Sequence, residues 1–423
     1  MTVTVTRLDS GLTVATDPMP HLMSTALGVW VSCGSRHETP AEAGLSHMLE
    51  HMAFKGTGRR SARDIATEIE SVGGDLNAYT AREQTAFHAR VLMEDTGLAL
   101  DIISDILIHP LFDETELANE RDVIIQEIGQ TRDTPDDLVF DYLQEACYPG
   151  QPIGRPIFGS EKTVAGFSRA DVSAYIGKHY RSGAMILAGS GAIDHAALVE
   201  AGELLSKGLS EGAERPFDPA NFAGGEILDR EDLEQAHLTF AFPGIASTHP
   251  DAFTAQVFAT ALGGGMSSRL FQEVREKRGL CYSIYAFSHC YRDTGVVGIY
   301  SGTSDAKAGE IAPIIAAEME AMVLGTTEEE IARARAQLKA SLLMGLELPQ
   351  ARCEMMASHL YNYGRVLSTE ELVQRIDAVD AGAVKRFAAQ ICETGNPAIA
   401  AVGPIRRLES RERFAKRFGR AAA

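Results

Sequence analysis

Apolar positions recur at helical spacing through residues 44–54 and again through 113–130, where Val123, Ile124, Ile125 and Ile128 are expected to form the buried side. The first six residues, MTVTVT, alternate with the period of a strand. Helices over 47–54 and 62–72 are followed by strands over 75–81 and 85–92, and then by an amphipathic helix near 95–107. The second half repeats this order. Helices over 251–262 and 269–277 precede strands over 280–287 and 295–302, and a long helix follows near 306–323. Each half closes on a helix and a short apolar strand, 168–180 with 184–193 and 380–392 with 396–405. Val172 and Tyr175 in one helix keep the spacing of Val384 and Phe387 in the other. Agreement in both order and spacing predicts a duplicated chain. Grouped strands and grouped helices predict an α+β fold of two homologous domains, each a mainly antiparallel sheet covered by helices on one face. The Gly/Pro/Glu-rich stretch 207–225 has neither period and sits at the midpoint. Residues 1–206 and 226–423 are therefore the expected domains, joined by a linker over 207–225.

Composition narrows the function class. No apolar run is long enough to span a bilayer. The start of the chain resembles neither a signal peptide nor an Arg-rich transit peptide, so the expected compartment is the cytoplasm. Six cysteines, at 33, 147, 281, 290, 353 and 392, show no CxxC spacing. Reduced thiols are expected, not a disulfide framework or a cysteine-ligated metal. A net charge of −19 disfavours nucleic acid as a partner. It could draw basic peptides into a cavity, although ordinary solubility accounts for most of these carboxylates.

The chemistry concentrates in Gly44-Leu45-Ser46-His47-Met48-Leu49-Glu50-His51-Met52-Ala53-Phe54. Residues four apart on a helix lie one above the other, so His47 and His51 can reach one ion with Glu50 beside them. This is the inverted zinc-peptidase order, HxxEH. Two imidazoles and a carboxylate suit zinc, with a fourth position left for water. Two helical histidines also serve as core or surface residues, so a third ligand on a rigid element is required. Residues 113–130 offer one. Asp113 suits a helix N-cap, and Glu120 and Glu127 lie seven apart, on one face within about 20°. Two carboxylates sharing a face either flank a cation or form a solvated acidic stripe.

With these residues in place, the sequence resembles the pitrilysin/insulinase family of inverted zinc peptidases, most closely its mitochondrial processing peptidase beta subunits and their bacterial relatives. The resemblance spans essentially the whole chain. In that family the third zinc ligand is a Glu 76 residues after the second His, which falls on Glu127. The resemblance implies His47, His51 and Glu127 as ligands of one Zn2+ per chain, Glu50 as base and Glu120 as the supporting catalytic carboxylate. Leu76–Thr85 (LNAYTAREQT) resembles the edge strand that captures substrate by strand addition, which implies Asn77, Ala78 and Tyr79 as substrate-binding positions. A plain interior strand is disfavoured there because Asn and Ala are poor strand formers. Phe54 corresponds to a residue lining the pocket after the scissile bond; read alone it is core. Arg275 and Tyr282, seven apart, match a pair that reaches the zinc site and stabilises the substrate carbonyl and its oxyanion. Without the resemblance, Arg275 reads as a surface ion pair with Glu273 or Glu276. The second-half equivalent of HxxEH is Ala255-Gln256-Val257-Phe258-Ala259, with no ligand left. Asp137 and Asp141 stand where relatives carry acidic residues that pair with an arginine near the cleaved bond. Asp137 replaces a frequent Glu, keeping charge with shorter reach.

The expected function is thus a zinc metalloendopeptidase, processing-peptidase-like, acting on extended and basic or presequence-like peptides in a closed chamber. The alternatives are a non-catalytic structural or partner subunit, as in the core proteins of a respiratory complex, or a bare peptide-binding module. A homodimer, or a heterodimer with a related subunit, is expected. Gly263-Gly264-Gly265 reads as a turn linking two helices, with a substrate-handling loop as the other reading. The Arg-rich tail over 406–420 reads as a solvated terminal helix, ahead of a membrane or nucleic-acid contact.

Overall fold

The computed structural model describes residues 2–418, and its elements follow the expected order in both halves. The strands are β1 (Thr4–Arg7), β2 (Thr13–Pro18), β3 (Ser24–Val31), β4 (Asp75–Thr80), β5 (Thr85–Leu92), β6 (Arg181–Gly183), β7 (Met185–Gly191), β8 (Ser210–Ala213), β9 (Glu226–Asp229), β10 (Ala236–Pro243), β11 (Cys281–Cys290), β12 (Gly295–Thr303) and β13 (Ala398–Val402). The α-helices are α1 (Leu45–Ala53), α2 (Ala62–Ser71), α3 (Thr96–Ile108), α4 (Glu114–Arg132), α5 (Pro135–Cys147), α6 (Glu161–Gly166), α7 (Arg169–His179), α8 (His195–Lys207), α9 (Ala252–Gly263), α10 (Asp305–Gly325), α11 (Glu328–Gly345), α12 (Pro349–Tyr363), α13 (Thr369–Asp377), α14 (Ala381–Thr394) and α15 (Arg411–Ala415). Local chemistry explains many boundaries. Ser61 and Asp64 close a capping box on α2, as Ser168 and Asp171 do on α7. Asp113 accepts the N–H groups of Thr115 and Glu116 and starts α4. Pro135 and Pro349 stand in the first turns of α5 and α12, where a missing N–H costs nothing.

The duplication is visible in the sheets. The first has the order β1-β2-β7-β3-β5-β4, and the second β11-β12-β10-β13-β9. Reading both from β4 and β11, the strands correspond one to one, with β1 as an addition. Each sheet is antiparallel apart from one parallel pair in the same place, β2 with β7 and β9 with β13. Within 207–225, where neither period was expected, Ser210–Ala213 pairs in parallel with β6.

Two compact units emerge from the contacts, and neither is continuous in sequence. One holds the residues up to Gly129 with Arg155–Asp218 and Met344–Ser368; the other holds Gln130–Gly154, Pro219–Leu343 and the chain from Thr369 onward. In the first unit, Leu27, Val29, Val31, Phe87 and Ala89 face Met48, Leu49, Ile102, Ile106, Tyr175 and Leu198 from α1, α3, α7 and α8. Alternation sends Ala26, Trp30, Ala86, Ile186 and Ala188 to the other face, against Cys353, Met356, Ala357 and Tyr361 of α12. In the second unit, Phe240, Phe242, Val297 and Ile299 face Phe258, Ile311, Ile315 and Phe387. Its other face carries Ala241, Val296 and Ala400 against Val139, Leu143, Ala146 and Cys147 of α5. Beyond the helical layer expected, each sheet thus has one more helix on its second face, drawn from the other half of the sequence.

The Arg-rich tail departs from expectation. Phe414 is fully buried and Phe418 nearly so, in contact with Phe240 and Phe242. Arg406, Arg407 and Arg413 are exposed while the two phenylalanines, four apart, complete the core, so the segment is not a solvated helix; residues 419 and 420 lie outside the described part. Gly263 ends α9, where a Cβ would meet the Ala286 nitrogen at 2.4 Å, and Gly264 caps it. That is a tight helix exit, in line with a turn.

The entry to α1 is built on a close backbone approach. Gly44 has φ +94°, and a Cβ there would meet the Phe158 carbonyl oxygen at 2.5 Å. Glycine supplies no capping side chain, so Glu38 does so from the preceding loop. Its carboxylate accepts the Gly44 N–H at 2.8 Å and the Ser46 N–H at 2.7 Å. Ser46 Oγ in turn lies 2.8 Å from Tyr175 Oη, which is 3.3 Å from Cys33 Sγ.

Two outcomes follow. Glu38→Ala strands two buried N–H donors and should lower stability by about 2 kcal/mol or more, read from the urea midpoint. Phe414→Ala should cost about 3–5 kcal/mol by the same measurement; a solvated tail would show almost no change.

Candidate metal centre

Helix α1 places His47 and His51 one turn apart with ring centroids 4.5 Å from each other. Helix α4 brings up Glu127, whose Oε2 is 3.8 Å from His47 Nε2 and 3.6 Å from His51 Nε2. The three ligand atoms lie within 4.8 Å of one another, the single such His/Cys/Asp/Glu group among the described residues. Zinc bonds of about 2.0–2.1 Å give a tetrahedral edge of roughly 3.4 Å. The two imidazole–carboxylate separations are close to that edge, so the residues fit the ion.

The surroundings set the donors for this task. Burial, with His51 beside it, holds the His47 imidazole down to about 3, so it is a neutral donor. The His47 ring stacks edge-on against Phe158 at 4.6 Å. His51 Nδ1 lies 2.8 Å from Glu120 Oε2, which leaves Nε2 directed at Glu127. That carboxylate–imidazole arrangement is how ligand histidines are commonly oriented and made more basic. Burial pushes the Glu120 carboxyl up, but hydrogen bonds from Lys55, at 2.6 Å, and from His51 outweigh it, and it stays below its ordinary range. Glu50 is half-buried. Desolvation raises its carboxyl and the Glu127 carboxylate adds to the rise, against a 2.5 Å hydrogen bond from Thr80 Oγ1 and the pull of His51. Burial likewise lifts the Glu38 carboxyl to about 7 against the pull of its two backbone donors.

His47, Glu50, His51, Glu120 and Glu127 are thus gathered in the first unit. Phe54 caps the C-terminus of α1 and packs 6.2 Å from Phe87, at the margin of the core. Asn77, Ala78 and Tyr79 lie on β4, the last strand of its sheet. Ala78 faces the α1 side, as Thr80 does, and its N–H donates to Asn77 Oδ1 at 2.8 Å. The Tyr79 side chain leaves the strand on the opposite face, toward α12. Asp137 and Asp141 are one turn apart on α5 in the second unit. Arg275 and Tyr282 also belong there. Arg275 sits in a π-helical stretch, Phe271–Glu276, with its guanidinium 4.6 Å from the Phe271 ring and 4.8 Å from that of Tyr282. Tyr282 is 80% exposed.

Four residues at the centre escape a reading by sequence: Glu38, Lys55, Thr80 and Phe158. Thr80 carries a signal in hindsight, because strand alternation from Ala78 puts it on the α1 face. Glu38, Lys55 and Phe158 carry none, since each arrives from a loop.

The insulinase model (peptidase family M16) matches residues 13–161, and the peptidase M16 inactive domain matches residues 166–338. A Rickettsia felis protein named "Uncharacterized zinc protease" is 39% identical, over 89% of this chain and 92% of its own. The mitochondrial-processing peptidase subunit beta of Mus musculus is 36% identical, over 96% of this chain and 85% of its own. In fold, the chain matches a Pseudomonas fluorescens structure titled as a peptidase M16 inactive domain with TM-score 0.88, at 20% identity over 97% of this chain and 99% of that one. Whole-length similarity of this degree shows that the chain belongs to the insulinase family of peptidases, family M16.

Proposed function

We propose that the protein is a zinc-dependent metalloendopeptidase, in which His47, His51 and Glu127 hold the ion. The observation that carries this reading is the convergence of the three donors within 4.8 Å beside the half-buried Glu50 carboxylate. A bound zinc would supply Lewis acidity toward a water and the substrate carbonyl. The chain's own groups do the rest. Glu50, held by Thr80, takes the proton of the attacking water and returns it to the leaving amine. Glu120 orients His51 and is itself neutralised by Lys55. The outward edge of β4 takes an extended peptide as an added strand. The proposal extends to Arg275 and Tyr282 as ligands of the substrate carbonyl and its oxyanion, supported by the stacking that orders the guanidinium. Preference for basic, presequence-like peptides is proposed from the processing-peptidase relatives and from the acidic pair Asp137 and Asp141. The name "subunit beta" borne by those relatives supports work as a dimer, with a second copy or a related subunit.

Glu50→Gln should retain stoichiometric zinc by elemental analysis and lose cleavage of a fluorogenic basic peptide by about 100-fold or more. Wild-type turnover in that variant would sink the mechanism, and purified protein without zinc would favour a structural subunit. Glu120→Gln should weaken zinc affinity by about 10–100-fold in chelator competition.

A further inference from the structure

Helix α12 lies on the sheet face away from α1, and three consecutive residues of it reach different strands. Arg352 pairs with the buried Asp17 of β2 at 2.7 Å. Cys353 Sγ donates to the Ala26 carbonyl of β3 at 3.2 Å. Glu354 Oε2 accepts from Tyr79 Oη of β4 at 2.7 Å and from Trp30 Nε1 of β3 at 3.0 Å. Trp30 Nε1 also lies 3.2 Å from Tyr79 Oη. Gln350 Nε2 steadies the other Glu354 oxygen at 3.2 Å. Strand β4 pairs with β5 alone, so half its backbone groups face outward without a sheet partner. Adjacent residues on it are anchored to opposite layers, Thr80 to Glu50 and Tyr79 to Glu354. Burial and the Glu354 carboxylate push the Tyr79 phenol up, which keeps it a protonated donor.

We propose that Glu354 is a positioning residue for peptide capture: through the Tyr79 hydroxyl it holds the edge strand β4 as a preformed template for the incoming peptide. The proposal rests on the reading of β4 as the peptide-binding edge. An edge already ordered spares the incoming strand the entropy of ordering it. A hydrogen bond to a charged, part-buried carboxylate is strong enough to impose that order. Trp30, 1% exposed and the single tryptophan of the chain, shares the same carboxylate and therefore reports on it optically.

The test uses the full chain in the Glu50→Gln background, with a fluorescein-labelled extended basic peptide followed by anisotropy and by Trp30 emission. Trp30 emission should change saturably at the anisotropy midpoint. Glu354→Ala should weaken peptide binding about tenfold and abolish the Trp30 response, with zinc content unchanged. Tyr79→Phe should weaken binding equally, and the double variant no further, because both cut one link. Glu354→Gln, which keeps an acceptor, should recover part of the loss; it also serves if the alanine variant folds poorly. In enzyme with Glu50 intact, Glu354→Gln should act on KM more than on kcat. Unchanged peptide binding in both Glu354 variants, or a silent Trp30 at saturating peptide, would overturn the proposal while leaving the peptidase reading intact. A labelled peptide that fails to bind Glu50→Gln at all would remove both.

Discussion

A carboxylate 3.6 and 3.8 Å from two imidazole nitrogens is a crowded arrangement, and much of the first unit is built to hold it. Helix α1 is pinned at its start by Glu38, which supplies the acceptors that Gly44 lacks. Beyond its far end, Lys55 engages Glu120, and Glu120 engages His51. The chain of contacts fixes which imidazole nitrogen faces Glu127. Burial keeps His47 neutral, so it offers a lone pair rather than a proton. The network uses charge to organise donors: Lys55 pairs with Glu120, and Glu38 accepts two backbone N–H groups.

The second unit repeats the sheet without repeating the chemistry. Its counterpart of α1 is α9, where Ala255, Val257, Phe258 and Ala259 are buried in the core. A helix with no polar donors to orient needs no carboxylate cap and no second carboxylate helix. Helix α9 packs as an ordinary apolar helix and ends tightly against β11 at Gly263. The duplication therefore preserved the scaffold, which burial of alternating apolar positions maintains, while among the described residues the His–Glu cluster is found in one copy.

Exchange of α5 and α12 gives both sheets a covered second face. It also means that an edge strand near residue 79 is secured by a residue near 354. The Glu354 carboxylate on the far layer and the Glu50 carboxylate of α1 meet the same strand through neighbouring residues, so the strand is held from both sides.

The amino-acid sequence by itself determined the element order, the duplication and the spacing of His47, Glu50, His51 and Glu127. It could do so because helical and strand periods are local, and residues four or seven apart on one helix share a face whatever surrounds them. It also marked β4 as unusual, through Asn77 and Ala78. Sequence did not place α5 and α12 on the sheets of the opposite halves, since an apolar face does not name the sheet it meets. It misjudged the tail for a related reason: many arginines suggested solvent, while two phenylalanines four apart decided the burial. Glu38, Lys55, Thr80 and the Glu354–Tyr79–Trp30 link came only from tertiary structure. Each joins residues whose separation in sequence carries no period, and their meeting depends on how helices and loops pack on the sheet.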